Sequence, residues 1–450
     1  MTKNKTNQFK SSPLLPRIFG FTFLTVSSTV FAAGFQIQEQ NVTYLGTAYS
    51  GTAAWAADAS TAFYNSAGLT HIPYKQVVAS GVLILANSDF NVTTSNVPAI
   101  FGIPVPGQQS DDPGGLIAIP SLYYSAQVGR DWFFGLSVAS PFGLKTVYDE
   151  NAIMRYVATR SELRTIDIAP SLAWRAQPWL SLSAGFDALY AEAQLDVMTN
   201  FGAGLPDGDG FQKNRANDWA FGWHAGFLID FNENSRIGLQ YRSKFRVKAE
   251  GNSENLSAGG FIPAGTFLTR RVNSSVELPE TVVLSGYHAF NKCWAFLADL
   301  AWTRWSRFDA LRLTYFPPSP PPLPSIDTVT HENFKDVWRV AVGLSYAYNN
   351  HLEFRTGLAW DESPVRDQYR TARIPDEDRI WLGFGVGFNV NENLHVDLGY
   401  AHLFFKDASL LDRGPSSVVT GLPLLPANLV QGDYDSNANI FGIQIRYNFV

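Results

Sequence analysis

Four cations, Arg242, Lys244, Arg246 and Lys248, alternate with Tyr241, Phe245 and Val247. Successive side chains of an extended chain point to opposite faces, so this spacing puts all four charges on one face of a strand. Such a row can attract and steer a carboxylate. The same residues fit a salt-bridge lattice with acids such as Asp187, Asp218, Asp230 and Glu277. Lys248, next to the glycine-containing stretch 251–267, is the best placed of the four to meet a ligand. A second concentration of charge, Asp361-Glu362 and Asp376-Glu377-Asp378-Arg379, falls at two strand ends around one loop. Paired carboxylates can serve hydrolysis, but no sugar- or water-positioning motif accompanies these, and they read as an ion network around Arg379. The seven histidines show no HExxH spacing, no GxSxG elbow occurs, and no glycine-rich phosphate loop stands between a strand and a helix. The single cysteine, Cys293, rules out an intramolecular disulfide and a cysteine metal cluster. These residues point to no catalysis, no cofactor and no metal, and the net charge of −6 argues against a nucleic-acid partner.

The elements that position these residues are strands. The last one reads Phe441-Gly442-Ile443-Gln444-Ile445-Arg446-Tyr447-Asn448-Phe449, apolar on one face and glycine or polar on the other. The pattern recurs. Trp294, Phe296, Leu300 and Trp302 oppose Asp299; Leu394, Val396, Leu398 and Tyr400 oppose His395, Asp397 and Gly399; Trp219, Phe221, Trp223, Phe227 and Ile229 oppose Gly222, His224 and Gly226. Recurrence along nearly the whole chain, with 16% charged and 14% aromatic residues, suits a lipid-facing surface with aromatic girdles. No uninterrupted apolar stretch after the N-terminus approaches the roughly 20 residues of a membrane helix. The expectation is an all-β, transmembrane antiparallel β-barrel in an outer membrane, where the closed hydrogen-bond ladder supplies rigidity.

Residues 1–32 read as a signal peptide, with Lys3, Lys5, Lys10 and Arg17, an apolar run, and Val30-Phe31-Ala32 before the cleavage point. From 76 to 450 short turns, 129–131, 232–234, 291–292, 349–350 and 391–393, alternate with long stretches, 91–116, 199–217, 251–267, 316–333 and 407–436. That gives about 14 strands. Pro317 to Pro324 reads as a stiff surface spacer. Residues 33–75 differ, being rich in small residues and poor in charge. A barrel of intermediate width has a lumen that such a segment can close, so we expect a plug there. As an exposed tail it would leave Phe35, Tyr44, Trp55 and Phe63 in water.

Three motifs stand out in the segment 33–75: Ala33-Gly34-Phe35-Gln36, Gly46-Thr47-Ala48-Tyr49-Ser50-Gly51 and Asn65-Ser66-Ala67-Gly68-Leu69. Two more lie in the barrel region, Arg355-Thr356-Gly357-Leu358-Ala359-Trp360-Asp361-Glu362-Ser363-Pro364-Val365 and Ile374-Pro375-Asp376-Glu377-Asp378-Arg379. In these motifs and their order the chain resembles the FadL family of outer-membrane transporters of long-chain fatty acids and other hydrophobic compounds, the first three looking like that family's N-terminal hatch. Two positions depart from the family: Ser66 stands where it usually has proline, and Val450 follows Phe449 where the barrel usually ends on an aromatic read by the barrel assembly machinery. The resemblance implies a fourteen-stranded barrel closed by the hatch, with a hydrophobic substrate captured outside and released sideways at a kink in the third strand. The matching stretch is 137–144, where Pro141-Phe142-Gly143 interrupts a regular pattern; proline removes a ladder donor and glycine permits a bend, so the residues alone also predict a local failure of pairing.

Three functional classes come into question. The first is passive uptake of long-chain fatty acids or similar hydrophobic compounds, with Gly34 and Phe35 in the pocket, Asn65, Ser66 and Ala67 setting hatch geometry, and Pro141, Phe142 and Gly143 at the exit. Lys248 and Arg379 would be the charged contacts, Lys248 alternatively meeting lipopolysaccharide phosphate. The second is a surface adhesin or structural barrel acting through its long loops. The third, a barrel enzyme, lacks its constellation. A monomer is expected, since a closed barrel leaves no strand edge to pair.

Overall fold

The computed structural model describes residues 33–96, 105, 107–199, 209–257, 265–316, 326–414, 416–419, 422–423 and 429–449. The expected leader, the proline run and Val450 lie outside these. Among the described residues, two short strands, Phe245–Val247 and Val276–Leu278, pair with each other apart from the rest, and the other strands from Lys75 onward form one antiparallel sheet closed on itself. They are β1 (Lys75–Asn96), β2 (Gly115–Gln127), β3 (Trp132–Ala139, resuming as Gly143–Val147), β4 (Arg160–Gln177) and β5 (Leu180–Thr199). Next come β6 (Gly210–Asn232), β7 (Ser235–Arg242, resuming as Glu250–Leu256), β8 (Thr281–Ala289, preceded by Phe267–Ser274) and β9 (Trp294–Thr303, resuming as Ala310–Tyr315). The wall ends with β10 (Val337–Ala347, preceded by Ile326–His331), β11 (Leu352–Asp361), β12 (Arg379–Asn389), β13 (Leu394–Phe405, resuming as Ala408–Asp412) and β14 (Leu429–Phe449). β14 pairs with β1 from Phe449↔Lys75 to Leu429↔Asn96 and closes the fourteen-stranded barrel.

The period-2 pattern lies where lipid would be. On β14, Phe441, Ile443, Ile445, Tyr447 and Phe449 are 42 to 55% exposed, while Gln444 between them is buried. All five expected short turns join hydrogen-bonded neighbours. The stretches expected as long loops are partly strand instead: β1 runs on to Asn96, β6 begins at Gly210, and Glu250–Leu256, Ile326–His331 and Ala408–Asp412 all pair. Above the lipid band both faces of a strand meet polar surroundings, so the ladder continues without the alternation that reveals it.

Residues 33–74 precede the wall and pack against its inner face. Asn41 Oδ1 accepts from Tyr44 N (2.9 Å) and caps the helix Val42–Leu45; a second short helix is Thr61–Tyr64, followed by a 3-10 turn Ser66–His71. Glycines on the barrel give this segment room: a Cβ on Gly357 would lie 2.1 Å from the Thr47 carbonyl carbon and oxygen, and one on Gly383 2.6 Å from Leu45 O. Tyr44, Leu45 and Tyr49 form a buried cluster with Val82, Ile117, Trp381 and Ile440 of the wall. Polar bolts hold it as well. Asp299 on β9 accepts from Gly51 N (2.6 Å), Thr52 N (3.1 Å) and the Thr52 hydroxyl, and Gln444 on β14 accepts from Val42 N (3.1 Å).

Candidate functional site

The irregular point of the wall is β3. Pairing between β2 and β3 runs from Gln127↔Phe133 to Leu122↔Val138 and stops; when β3 resumes at Gly143 its pairing is with β4, at Gly143↔Arg164 through Val147↔Arg160. Pro141 and Gly143 account for the bend, as the sequence predicted. The vacated backbone groups are taken by the N-terminal segment: Ile37 N donates to Pro141 O and Gly143 N donates to Phe35 O, both at 2.9 Å. Gln40 completes the repair with its side-chain amide. Its Nε2 donates to Ser140 O (2.6 Å), its Oε1 accepts from Ser140 N (3.0 Å) and the Ser121 hydroxyl (3.1 Å), and its carbonyl accepts from the Tyr123 hydroxyl (2.7 Å). One buried glutamine thus bridges β2 and β3 where their own ladder fails.

Phe35 stands above this junction. Its ring is 4.5 Å from Trp305, 5.2 Å from Phe308 and 6.4 Å from both Phe142 and Phe334. On one side of these rings lies a largely apolar cavity of about 980 Å³, open to solvent, with Phe35, Leu144, Leu163, Val247, Leu278 and Ile374 among its walls. Its polar lining includes Arg373 and Glu332. Arg373 donates to the carbonyls of Arg160 (3.0 Å), Val157 (3.2 Å) and Asp196 (3.4 Å) and to the Ser161 hydroxyl (2.9 Å), with no carboxylate within 4.0 Å among the described residues. Glu332 is buried with neither carboxyl oxygen hydrogen-bonded, and burial, assisted by the charge of Asp412, pushes its pKa up to about 8.

Gly34 adopts φ +64° and donates to Asp376 Oδ2 (2.8 Å); a Cβ at this position would lie only 3.0 Å from Pro364 and Trp305. Asp376 also meets Ser363 and, at 3.4 Å, Arg379, whose Nε bonds Asp361 Oδ2 at 3.0 Å. Burial raises Asp376 to about 6, and raises Glu39 nearby to about 7. The acidic clusters around Arg379 are an ion network, as expected, and it clamps the start of the N-terminal segment. Asn65 holds the segment elsewhere: its Nδ2 donates to Ala53 O (2.7 Å) and Phe227 O (3.0 Å), and its Oδ1 caps the 3-10 turn at Ala67 N (3.2 Å). Ser66 occupies the first position of that turn, which proline also suits, and Ala67 packs on Ala54 and Leu228.

Gly34, Phe35, Pro141, Phe142, Gly143 and Arg379 therefore gather around one junction, and residues 65–67 sit apart from it. The cationic row requires correction. Arg242 points inward to Asp167 (2.9 Å) and Asp187, but Ser243 bonds back to Trp223, so β7 gains one residue against β6. That extra residue reverses the faces beyond it: Lys244 and Arg246 turn outward to Glu277, and Lys248 is exposed outside the barrel. Arg373, Glu332 and Gln40 were missed; Arg373 alone had a signal, being next to the recognised Ile374 motif.

A family model described as "Outer membrane protein transport protein (OMPP1/FadL/TodX)" matches residues 23–449. The long-chain fatty acid transport protein of Escherichia coli strain K12 is 29% identical, covering 94% of this chain and 96% of that protein. Outer membrane protein P1 of Haemophilus influenzae is also 29% identical, over 93% and 95%. Among solved structures, a Pseudomonas aeruginosa FadL homologue superposes with TM-score 0.81 at 21% identity, over 93% of this chain and all of that one; the Ralstonia pickettii toluene transporter TbuX does so with 0.66 at 16%, over 91% and all.

Proposed function

This chain belongs to the OMPP1/FadL/TodX family of outer-membrane transporters of hydrophobic compounds, and from that premise we propose that it takes up long-chain fatty acids passively and releases them sideways through the break in β3. Residues 33–74 act as its hatch. The observation that carries this reading is that one short stretch, residues 35–40, both borders the apolar cavity and supplies the missing hydrogen bonds of the wall. Moving it opens cavity and wall together. An alkyl chain gains about 0.8 kcal/mol per buried methylene, enough to displace a few hydrogen bonds worth about 1 kcal/mol each. Arg373 supplies the positive charge for the carboxylate head, and neutral Glu332 beside the same cavity does not oppose it. Fatty-acid and toluene transporters, both among the relatives, differ in whether the solute is charged, and Arg373 favours the acid. Exposed Lys248, in the interruption between the two halves of β7, is available to lipopolysaccharide phosphate, and the closed wall suits a monomer.

The test is uptake of labelled oleate by a Gram-negative host lacking its own fatty-acid channel, with the chain verified in its outer membrane. Restored uptake is expected. No uptake from a correctly assembled barrel would overturn the proposal.

A further inference from the structure

The end of an outer-membrane barrel that carries the short turns faces the periplasm. Here that end holds a space of about 680 Å³, open to solvent and bordered by Trp55 and Ala57 of the N-terminal segment. Three cations line it: Arg355 on β11, Arg446 on β14, and Lys292 on the turn between β8 and β9. Arg355 is balanced by Asp397 (2.6 Å) and Glu353 (2.8 Å), yet its side chain is 2% exposed and its Nε–H has no acceptor. Arg446 has no carboxylate within 4.0 Å among the described residues; its Nη1 donates to Ala57 O (3.0 Å), and its Nε–H also lacks an acceptor. Lys292 is exposed on its turn. Glu353, the carboxylate in the lining, already accepts from Arg355 Nη2 and from the Ser345 hydroxyl.

The space thus carries excess positive charge and two guanidinium N–H groups that nothing in the chain accepts, where buried donors are ordinarily satisfied. A carboxylate offers two oxygens to such a set; a tetrahedral oxyanion offers three or four, enough for both guanidinium groups and the ammonium at once. The source follows from the strands. Leu344 and Phe354 are exposed on the lipid-facing side of β10 and β11, whereas Arg355 and Arg446 belong to the opposite, lumenal face, out of reach of a headgroup anchored in the bilayer. We propose that this space binds a water-borne, phosphate-bearing solute of the periplasm, its oxyanion held by Arg355 Nε, Arg446 Nε and the Lys292 ammonium. Bound there, the anion links β11, β14 and the β8–β9 turn at the point where Arg446 already holds Ala57. It secures the periplasmic side of the N-terminal segment independently of residues 35–40 and of the solute the barrel transports.

The test uses Cys293, the single cysteine, which is exposed at the rim of this space. A trifluoromethyl tag is attached there, and its fluorine NMR signal is followed in the purified, folded full-length barrel as inorganic phosphate is added, with potassium chloride at matched ionic strength as the control. A saturable shift with phosphate, and none with chloride, is expected. Arg446→Gln should weaken the apparent affinity about tenfold, the effect of one charge-assisted hydrogen bond. Lys292→Gln, on an exposed turn, should weaken it severalfold and decides the question alone if Arg446→Gln fails to assemble. Absence of a saturable shift, an equal shift with chloride, or an affinity that either substitution leaves unchanged overturns the site. The uptake reading stands in each of these cases, since oleate transport is measured separately.

Discussion

Replacing Gln40 with alanine should loosen the wall repair while leaving the barrel intact. The substitution removes a donor and an acceptor that serve both backbone groups of Ser140, at 2.6 and 3.0 Å, and the acceptor for Ser121 at 3.1 Å. A buried polar group left without its partner costs about 1–3 kcal/mol. Water reaching the vacated side-chain volume offsets part of this, so about 2 kcal/mol is a reasonable net loss for the docking of residues 35–40. At about 1.4 kcal/mol per decade, that raises the open population roughly 30-fold. Hydrogen exchange of the purified barrel reads it directly: protection of Ile37 N–H and Gly143 N–H, which pair across the junction, should fall by about that factor. The amides of Gly51 and Thr52, bound separately by Asp299, serve as the control and should not change. Unchanged protection at Ile37 and Gly143 would refute the idea that Gln40 closes the gap. An equal fall at Gly51 would show that the substitution loosened the whole segment instead.

Gly143→Leu should reduce oleate uptake without preventing assembly, because even the new Cβ would lie 2.6 Å from Ile37 Cδ1, at the mouth of the break; normal uptake by a well-assembled variant would argue against lateral exit. Gly357→Ala would drive a methyl to 2.1 Å from the Thr47 backbone, so the barrel should form with its hatch displaced, and permeability to small polar solutes in a liposome-swelling assay should rise. Glu39 holds its proton to about pH 7 in the folded state against a reference value of 4.5, so docking of its segment should weaken as pH rises through that window and level off above it. The full effect is at most about 3 kcal/mol. Glu39→Gln should remove the part of the profile between about pH 6 and 7 and leave the part below it, where Asp376 titrates against Gly34 N, when segment protection is measured against pH.

The lipid-facing half of each strand was legible because water and hydrocarbon sort side chains with a period of two, and Phe441 to Phe449 shows it without interruption. The bend at Pro141-Phe142-Gly143 was legible because both end residues act on the backbone itself. Side-chain counts could not reveal the irregularity at Ser243, whose hydroxyl replaces a ladder partner; one unremarkable serine therefore inverted the reading of Lys244, Arg246 and Lys248. Gln40 escaped for a related reason. Its task, standing in for a missing strand at Ser140, is defined by a gap in residues a hundred positions away. The same holds for Arg373 and Glu332, which become neighbours of the cavity only through segments above the lipid band, where no alternation marks the faces.

The seam between β14 and β1 joins the last strand to the first, from Phe449 against Lys75. The N-terminal segment leans on that late-arriving strand: Val42 N bonds Gln444 across 402 positions, and Gly399 and Gly442 leave space for Val42 and Leu45. Contacts so distant along the chain form slowly. Part of the segment's seat is the closing strand itself, so the segment cannot complete its docking until that strand, the last of the chain, is in place.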